Sequence, residues 1–246
     1  MIEANYAVRG AIPIRGAEIQ KDLTTGKSGN YNFTETVSLN IGNPQQVGQG
    51  VLTFNREVIS GLIYDPLLKT NAISHDAKAR IEEFKRNIES PSGAYTVNSK
   101  GWLHVRNKVA EFISNRDGVK ADADKIYLTN GASEGVRTSF TALIRNSHDG
   151  ILVPIPQYPL YSALLTLNNA ELIPYYLKEE KGWGLDPEGL EKQIAKAKEN
   201  GLVPRGIVVI NPGNPTGQVM KRENLVEIIK ICHRHSVLIL ADEVYQ

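Results

Sequence analysis

Apolar and polar residues follow two alternating periods in the second half of the chain. From Lys125 onward, short apolar runs, which predict buried strands, alternate with stretches whose apolar residues recur at helical spacing. The predicted strands are 126–128, 151–154, 171–177, 207–210 and 237–241, and the predicted helices are 132–143, 160–167, 186–201 and 222–233. This alternation indicates an α/β fold, a three-layer αβα arrangement with a mostly parallel sheet between two layers of helices.

The first 125 residues carry weaker patterns. The predicted elements are an arm or short helix over 6–29, a short strand over 37–41, and helices over 52–63, 74–88 and 103–117. Ser74 is predicted to cap the second of these helices. We therefore expect residues 1–60 to form an N-terminal arm and part of a small domain, and residues 61–246 to form a large domain.

A dense group of turn-forming residues follows the fourth predicted strand. The segment Asn211-Pro212-Gly213-Asn214-Pro215-Thr216-Gly217 comes directly after Ile207-Val208-Val209-Ile210. Two prolines, two glycines and two asparagines predict a tight, irregular loop. In open parallel sheets, ligands bind at the carboxyl ends of the strands. The loop is therefore predicted to border a ligand site, and an ordinary strand-to-helix connection is the alternative.

The amino-acid composition limits the class of protein but does not indicate a ligand. The chain has 246 residues, 41% hydrophobic and 22% charged, with a net charge of +1, so charge gives no argument for a nucleic-acid or membrane partner. The single cysteine, Cys232, excludes an internal disulfide and fits a reducing compartment. The first residues lack the features of a secretory signal. We expect a cytosolic protein, with a mitochondrial location open if the N-terminus is incomplete.

Three further positions near predicted strand ends carry candidate chemistry. Ser133 lies at a helix start, where backbone N–H groups can bind a phosphate, although a plain helix cap is the alternative. Tyr158 could stack on a planar cofactor or be a partly buried tyrosine. Asp242, after five apolar residues, could bind a pyridinium N–H or be a polar strand end. Cys232, His233 and His235 could suggest a metal site, but a fourth ligand is not in sight and Cys232 lies on the apolar stripe of its helix, so we interpret them as ordinary helix residues.

Taken together, the residues at these positions resemble the sequence pattern of a known family. Ser133, Tyr158, the Asn214 loop and the pair Asp242 and Tyr245 follow the order found in fold-type I, class I/II aminotransferases, which use pyridoxal 5'-phosphate (PLP). Within that family, three segments resemble the alanine aminotransferase group, and the likeness covers essentially the whole chain. These segments are Tyr6-Ala7-Val8-Arg9-Gly10, the run from Leu39 to Gln46, and Gly93-Ala94-Tyr95.

The resemblance implies a role for each matching residue. Asp242 would pair with the pyridine nitrogen of PLP, and Asn214 and Tyr245 would donate to its phenolic oxygen. Tyr158 would stack on the ring. The remaining implied contacts are Ala132 and Ser133 to the phosphate, Tyr95 to the phosphate of the neighbouring subunit's cofactor, and Gly42 to the substrate carboxylate. The implied reaction is ping-pong transamination of L-alanine and 2-oxoglutarate to pyruvate and L-glutamate through pyridoxamine phosphate, in a homodimer.

The sequence departs from the family pattern in one respect that affects catalysis. The family's Schiff-base lysine and its substrate-binding arginine both follow the segment that matches Asp242 and Tyr245, whereas this chain ends at Gln246. Lys221 and Lys230 precede Asp242 and lack the motif. We therefore expect a large domain that is incomplete at its C-terminus, no catalytic lysine, and no turnover by the chain alone. A glutamate:glyoxylate aminotransferase and a non-catalytic ligand-binding protein remain the alternatives.

Overall fold

The computed structural model describes residues 4, 6, 10–39, 41–88, 90–96 and 98–246. Residues 7–9 of the predicted arm and Asn40 of the predicted strand lie outside this part. The contacts group the chain into two compact units: residues 1–41 together with 131–246, and residues 42–130. The sequence predicted a domain boundary after residue 60, whereas the units change after residues 41 and 130. The domain division stays a prediction about the whole protein.

A five-stranded sheet forms the centre of the first unit. Its strands are β1 (Asp149–Ile155), β2 (Glu171–Lys178), β3 (Gly184–Leu185), β4 (Val203–Ile210) and β5 (Leu238–Asp242). They lie in the order β3-β2-β1-β4-β5, and all neighbouring pairs are parallel except the short antiparallel pair of β2 and β3. The mostly parallel sheet is thus confirmed. The sequence did not predict β3, because two residues are too few to show a period.

Eight α-helices accompany the sheet in the described residues. They are α1 (Ala11–Thr24), α2 (Thr53–Ile63), α3 (His75–Asn87), α4 (Leu103–Asp117), α5 (Ala132–Leu143), α6 (Leu160–Leu167), α7 (Pro187–Glu199) and α8 (Arg222–His235). Helices α2 to α4 belong to the second unit, and the others belong to the first. The predicted helices agree with these bounds to within three residues, and α1 occupies part of the predicted arm.

Two apolar clusters on opposite faces of the sheet give the first unit its three layers. Along β4, Ile207 and Val209 pack on one face with α7 and α8, while Val208 and Ile210 pack on the other with α5 and α6. Successive strand residues point to opposite faces, so a strand covered on both sides must be apolar throughout. The uninterrupted run at 207–210 has this physical origin, and the αβα prediction is confirmed.

Two of the predicted strands are wrong. Residues 37–39 have no regular structure, and Leu39 is 90% exposed, so the alternating pattern there buries no apolar face. Residues 126–128 form no strand in the described structure: the Ile126 N–H donates to the nearby Ala123 carbonyl at 3.2 Å, and the Leu128 N–H donates to the Lys100 carbonyl at 2.9 Å. A strand needs a neighbour along its length to pair its N–H and C=O groups, and local sequence cannot supply that neighbour.

The second unit has a small core of its own. Val58 of α2 packs with Ile73 and with Ala77 and Ile81 of α3. Ser74 stands at the N-cap of α3 as predicted, but its hydroxyl donates to the Glu57 carboxylate instead of the helix. No helix in the described ranges is long and apolar enough to cross a membrane.

Because Cys232 is buried, we expect its thiol to react slowly with a disulfide reagent. The side chain lies in the α7/α8 cluster, and burial raises the pKa of its thiol to about 11. Because only the thiolate attacks a disulfide reagent, we expect the native thiol at pH 8 to react at least about tenfold more slowly than the urea-unfolded thiol. Its rate should keep rising with pH towards 11. Equal rates in native and unfolded protein, measured with an aromatic disulfide, would contradict the packing described here.

Candidate functional site

The carboxyl ends of β1, β4 and β5 lie at one edge of the sheet, and Tyr158, Asn214 and Asp242 lie at or shortly after them. Ile210 at the end of β4 pairs with Asp242 at the end of β5. The backbone N–H of Asn211 donates to the Asp242 carbonyl at 3.0 Å. Parallel pairing therefore places the start of the 211–217 loop directly beside Asp242, although Asn211 and Asp242 are 31 positions apart in the sequence.

Backbone hydrogen bonds and the side chain of one asparagine hold the 211–217 loop together. The Asn211 side-chain oxygen accepts from the Met220 N–H at 2.9 Å. The Gly213 N–H donates to the Gln218 carbonyl, and its own carbonyl accepts from Gly217 N–H, both at 2.9 Å. Asn211 is thus a structural residue, whereas Asn214 is half-buried in the middle of the turn.

Asp242 is anchored by a residue that the sequence analysis did not identify. The buried Tyr161 hydroxyl, on α6, donates to Oδ2 of Asp242. The Val244 N–H donates to Oδ1 at 3.3 Å. Burial, followed by the bond to Asp242, raises the pKa of Tyr161 well above its ordinary value, so its hydroxyl stays protonated and acts as the donor. The sequence signal that could have indicated Tyr161 is an aromatic residue with a hydroxyl group in a mostly apolar helix.

Tyr158 lies close to this anchored carboxylate. Its ring packs edge-on against the Tyr161 ring, with centroids 6.5 Å apart. Its hydroxyl is 2.7 Å from the hydroxyl of Tyr6, a second contact that the sequence did not predict. This hydrogen bond, with burial as the next cause, raises the pKa of Tyr158 to about 12. The Tyr158 hydroxyl is therefore un-ionised, and the contacts with Tyr161 and Tyr6 fix the orientation of the ring.

The first turn of α5 presents an anion-binding feature. Gly131 precedes the helix with φ of 83°, a left-handed conformation that favours glycine. Ala132 and Ser133 are exposed, and no side chain caps this end of the helix. Ser133 is therefore not an N-cap. Glu134 forms an ion pair with Arg137 within the helix. Backbone N–H groups of the first turn have no intrahelical acceptor, so they can bind a phosphate.

A cavity of about 490 Å³ runs between α5 and β5. Ala132 and Asp242 both line it, together with Tyr161. It therefore joins the helix start to the anchored carboxylate, whereas Tyr158 and Asn214 lie outside its lining.

The remaining predicted site residues are Tyr245, Gly42 and Tyr95. Tyr245 follows β5 and is exposed. Gly42 and Tyr95 belong to the second unit, in which Tyr95 is 92% exposed. Within the described residues, no group of three or more histidine, cysteine or acidic side chains could bind a metal ion.

Comparison with known proteins assigns the family. Residues 65–246 match the family described as Aminotransferase class I and II. The chain belongs to this family. The resemblance inferred from the Asn214 loop, Ser133, Tyr158 and Asp242 is thus confirmed at the level of the family.

Individual aminotransferases match along the whole chain. It is 44% identical over 251 residues to "Alanine aminotransferase 2" of Panicum miliaceum, covering 100% of this chain and 52% of that protein. It is 43% identical to "Glutamate--glyoxylate aminotransferase 1" of Arabidopsis thaliana, covering 99% of this chain and 49% of that protein. The crystal structure of an Escherichia coli aminotransferase aligns with a TM-score of 0.71 at 28% identity, covering 98% of this chain and 49% of the other. The chain thus spans about half the length of the aminotransferases that it matches.

Proposed function

We propose that this chain is part of a PLP-dependent aminotransferase that converts L-alanine and 2-oxoglutarate to pyruvate and L-glutamate by ping-pong transfer. The observation that carries the proposal is the anchored Asp242 carboxylate, which lies beside the Asn211 turn at the carboxyl edge of the sheet. Similarity to an alanine aminotransferase over the whole chain supports the choice of substrates.

The groups at this edge fit the polar parts of PLP. The exposed first turn of α5, with Ala132 and Ser133, suits a phosphate, and the Asp242 carboxylate suits a protonated ring nitrogen. When bound, PLP supplies a protonated heteroaromatic ring that acts as an electron sink. Asp242 would keep the ring nitrogen protonated by pairing with its N–H.

The remaining roles follow from the family resemblance. We propose that Asn214 and Tyr245 donate to the phenolic oxygen of PLP and that Tyr158 stacks on the ring. Gly42 would lie beside the substrate carboxylate. Tyr95 would bind the phosphate in the partner subunit, so that a homodimer is needed for a complete site.

A second candidate has a specific observation in its favour. The chain is almost as similar to a glutamate–glyoxylate aminotransferase as to an alanine aminotransferase. Transamination assays on the whole protein, with alanine and glutamate as donors and with 2-oxoglutarate and glyoxylate as acceptors, separate the two. A larger kcat/KM for the glutamate and glyoxylate pair would replace the first assignment by the second.

We propose further that the 246 residues do not turn over by themselves. Lys221 is the N-cap residue of α8, and Lys230 on the same helix pairs with Glu227 at 2.7 Å. Neither belongs to the segment after Asp242 in which the family carries its anchoring lysine. If the chain nevertheless binds PLP, borohydride treatment should leave all its lysines unlabelled. A labelled lysine identified by mass spectrometry would overturn this part of the proposal.

Binding of PLP to the purified chain tests the role of Asp242. We expect Asp242→Ala to raise the dissociation constant of PLP about tenfold or more, because a hydrogen bond between charged groups is lost, which typically stabilises by about 1.5–3 kcal/mol. Glu243→Ala removes the same charge one residue away and should leave affinity within about twofold. Equilibrium dialysis provides the measurement. Equal losses in both variants would contradict a specific contact with Asp242.

A further inference from the structure

We propose that Tyr161 is a positioning residue for the cofactor: its hydroxyl fixes the Asp242 carboxylate in the orientation that receives the ring nitrogen. This inference rests on the proposed function and adds a residue to it. It starts from the bond between the Tyr161 hydroxyl and Oδ2 of Asp242, which joins α6 to the last residue of β5.

Tyr161 is held rigidly enough to orient another group. It is 1% exposed, and its ring packs against Phe140 of α5, with centroids 6.2 Å apart, and against Tyr158. Both rings restrict rotation of the Tyr161 ring, so its hydroxyl has a fixed position. By contrast, Asp242 is half-buried at a strand end, and the residues after it are exposed. The fixed partner in this pair is therefore the tyrosine.

The carboxylate keeps capacity for a ligand after these bonds are made. An ionised carboxylate has about four acceptor positions. Tyr161 occupies one on Oδ2, and the Val244 N–H occupies one on Oδ1. About two positions remain for the N–H of a ring nitrogen. One donor on α6 and one just after β5 determine which way these positions face.

In the hydrogen bond between Tyr161 and Asp242, Tyr161 is the donor at neutral and moderately alkaline pH. Burial raises the pKa of Tyr161 well above its ordinary value, and the bond to Asp242 raises it further. Tyr161 therefore remains protonated at neutral and moderately alkaline pH, and Asp242 remains the acceptor. Because Tyr161 always donates, the acceptor positions of Asp242 that it leaves open can receive the N–H of a ring nitrogen.

The same residue connects Asp242 to the proposed stacking ring. Tyr158 contacts the Tyr161 ring edge-on, and Tyr161 contacts Asp242 through its hydroxyl. Tyr158 is the proposed contact with the face of the cofactor ring, and Asp242 is the proposed contact with its nitrogen. Both residues thus contact the buried Tyr161. Displacement of Tyr161 would disturb both.

A double-mutant cycle on PLP affinity tests this role. Tyr161→Phe keeps the ring and its packing but removes the hydroxyl. We expect it to raise the dissociation constant of PLP about three- to tenfold in the otherwise unchanged chain, within the usual range for the loss of one hydrogen bond. In the Asp242→Ala background, the same change should alter affinity by less than about twofold, because no carboxylate remains to be oriented. Equilibrium dialysis of all four proteins gives the four constants.

Tyr175→Phe is the matched control. Tyr175 is also buried, and its hydroxyl donates to the Val208 carbonyl at 2.7 Å within the sheet. Its loss should lower the melting temperature without changing PLP affinity. Should Tyr161→Phe weaken PLP binding by the same factor with and without Asp242, the residue would act through packing alone, and the inference would be overturned. An unchanged affinity in Tyr161→Phe would overturn it too.

The design separates this inference from the proposed function. If the unaltered chain does not bind PLP, or if Asp242→Ala binds it normally, the assignment of the site fails and the inference fails with it. If Asp242→Ala weakens binding while Tyr161→Phe has no effect, the site assignment stands and only the role of Tyr161 is lost.

Discussion

Replacement of Asp149 by alanine is expected to lower the free energy of unfolding by about 3 kcal/mol, because a buried carboxylate at the start of β1 binds two arginines. Asp149 is 0% exposed. It accepts from the Arg145 backbone N–H at 2.8 Å, from the Arg145 Nε at 3.2 Å and from the Arg205 Nε at 2.6 Å. Alanine would leave these donors without their acceptor. The partial exposure of both arginines, which water can then solvate, keeps the estimate at the low end of the range for buried pairs.

Urea unfolding followed by circular dichroism measures this effect. Asp117→Ala is the control, because Asp117 pairs with Arg116 at 2.6 Å on the surface of α4, and such solvent-exposed pairs contribute little to stability. A loss of under 1 kcal/mol in Asp149→Ala would show that Asp149 does not join the end of α5 to β1 and β4. Asp149→Asn should fall between the two variants, since an amide oxygen still accepts hydrogen bonds.

Phe140→Ala is expected to lower the free energy of unfolding by about 4 kcal/mol, within the usual range for a large core residue. Phe140 is fully buried on the inner face of α5 and packs with Val153, Val208 and Tyr161. Its removal deletes apolar contacts and leaves a cavity between α5 and the sheet. Since the N-terminus of α5 is the proposed phosphate site, PLP affinity should fall as well.

An exposed phenylalanine provides the control for this substitution. Phe112 lies on α4 with its ring beneath the Arg116 guanidinium at 5.7 Å, and it is exposed. Phe112→Ala should cost about 1 kcal/mol or less and leave PLP affinity unchanged. Equal losses of stability in the two variants would be incompatible with a core between α5 and the sheet.

Much of the architecture could be predicted from periods in the sequence. The run 207–210 is apolar at every position because both of its faces are covered, and the helices are apolar along one stripe. These patterns are local, so they identified helices α5 to α8 and strands β1, β2, β4 and β5 of the αβα fold. Segment 126–128 has the same composition as a strand and forms none in the described structure, because pairing depends on a neighbour that lies elsewhere in the chain.

The candidate site was predictable only as separate loops. Asn214, Ser133, Tyr158 and Asp242 each follow from turn chemistry, helix starts or strand ends in the sequence. The pairing of Tyr161 with Asp242 joins residues 81 positions apart, and the contact of Tyr6 with Tyr158 joins residues 152 positions apart. No local pattern predicts such partners, because they depend on how α6 and the arm pack.

The sequence by itself determined the class of fold, the family and the residue types available at the strand ends, since hydrophobic periods and turn-forming residues act over short distances. Only the tertiary structure decided which of these residues meet. Parallel pairing of β4 and β5 places Asp242 beside the Asn211 turn, and burial of Tyr161 under α5 aims its hydroxyl at that carboxylate. Hydrogen bonds and close packing require atoms within a few ångströms, and the folded chain alone brings such distant residues that close.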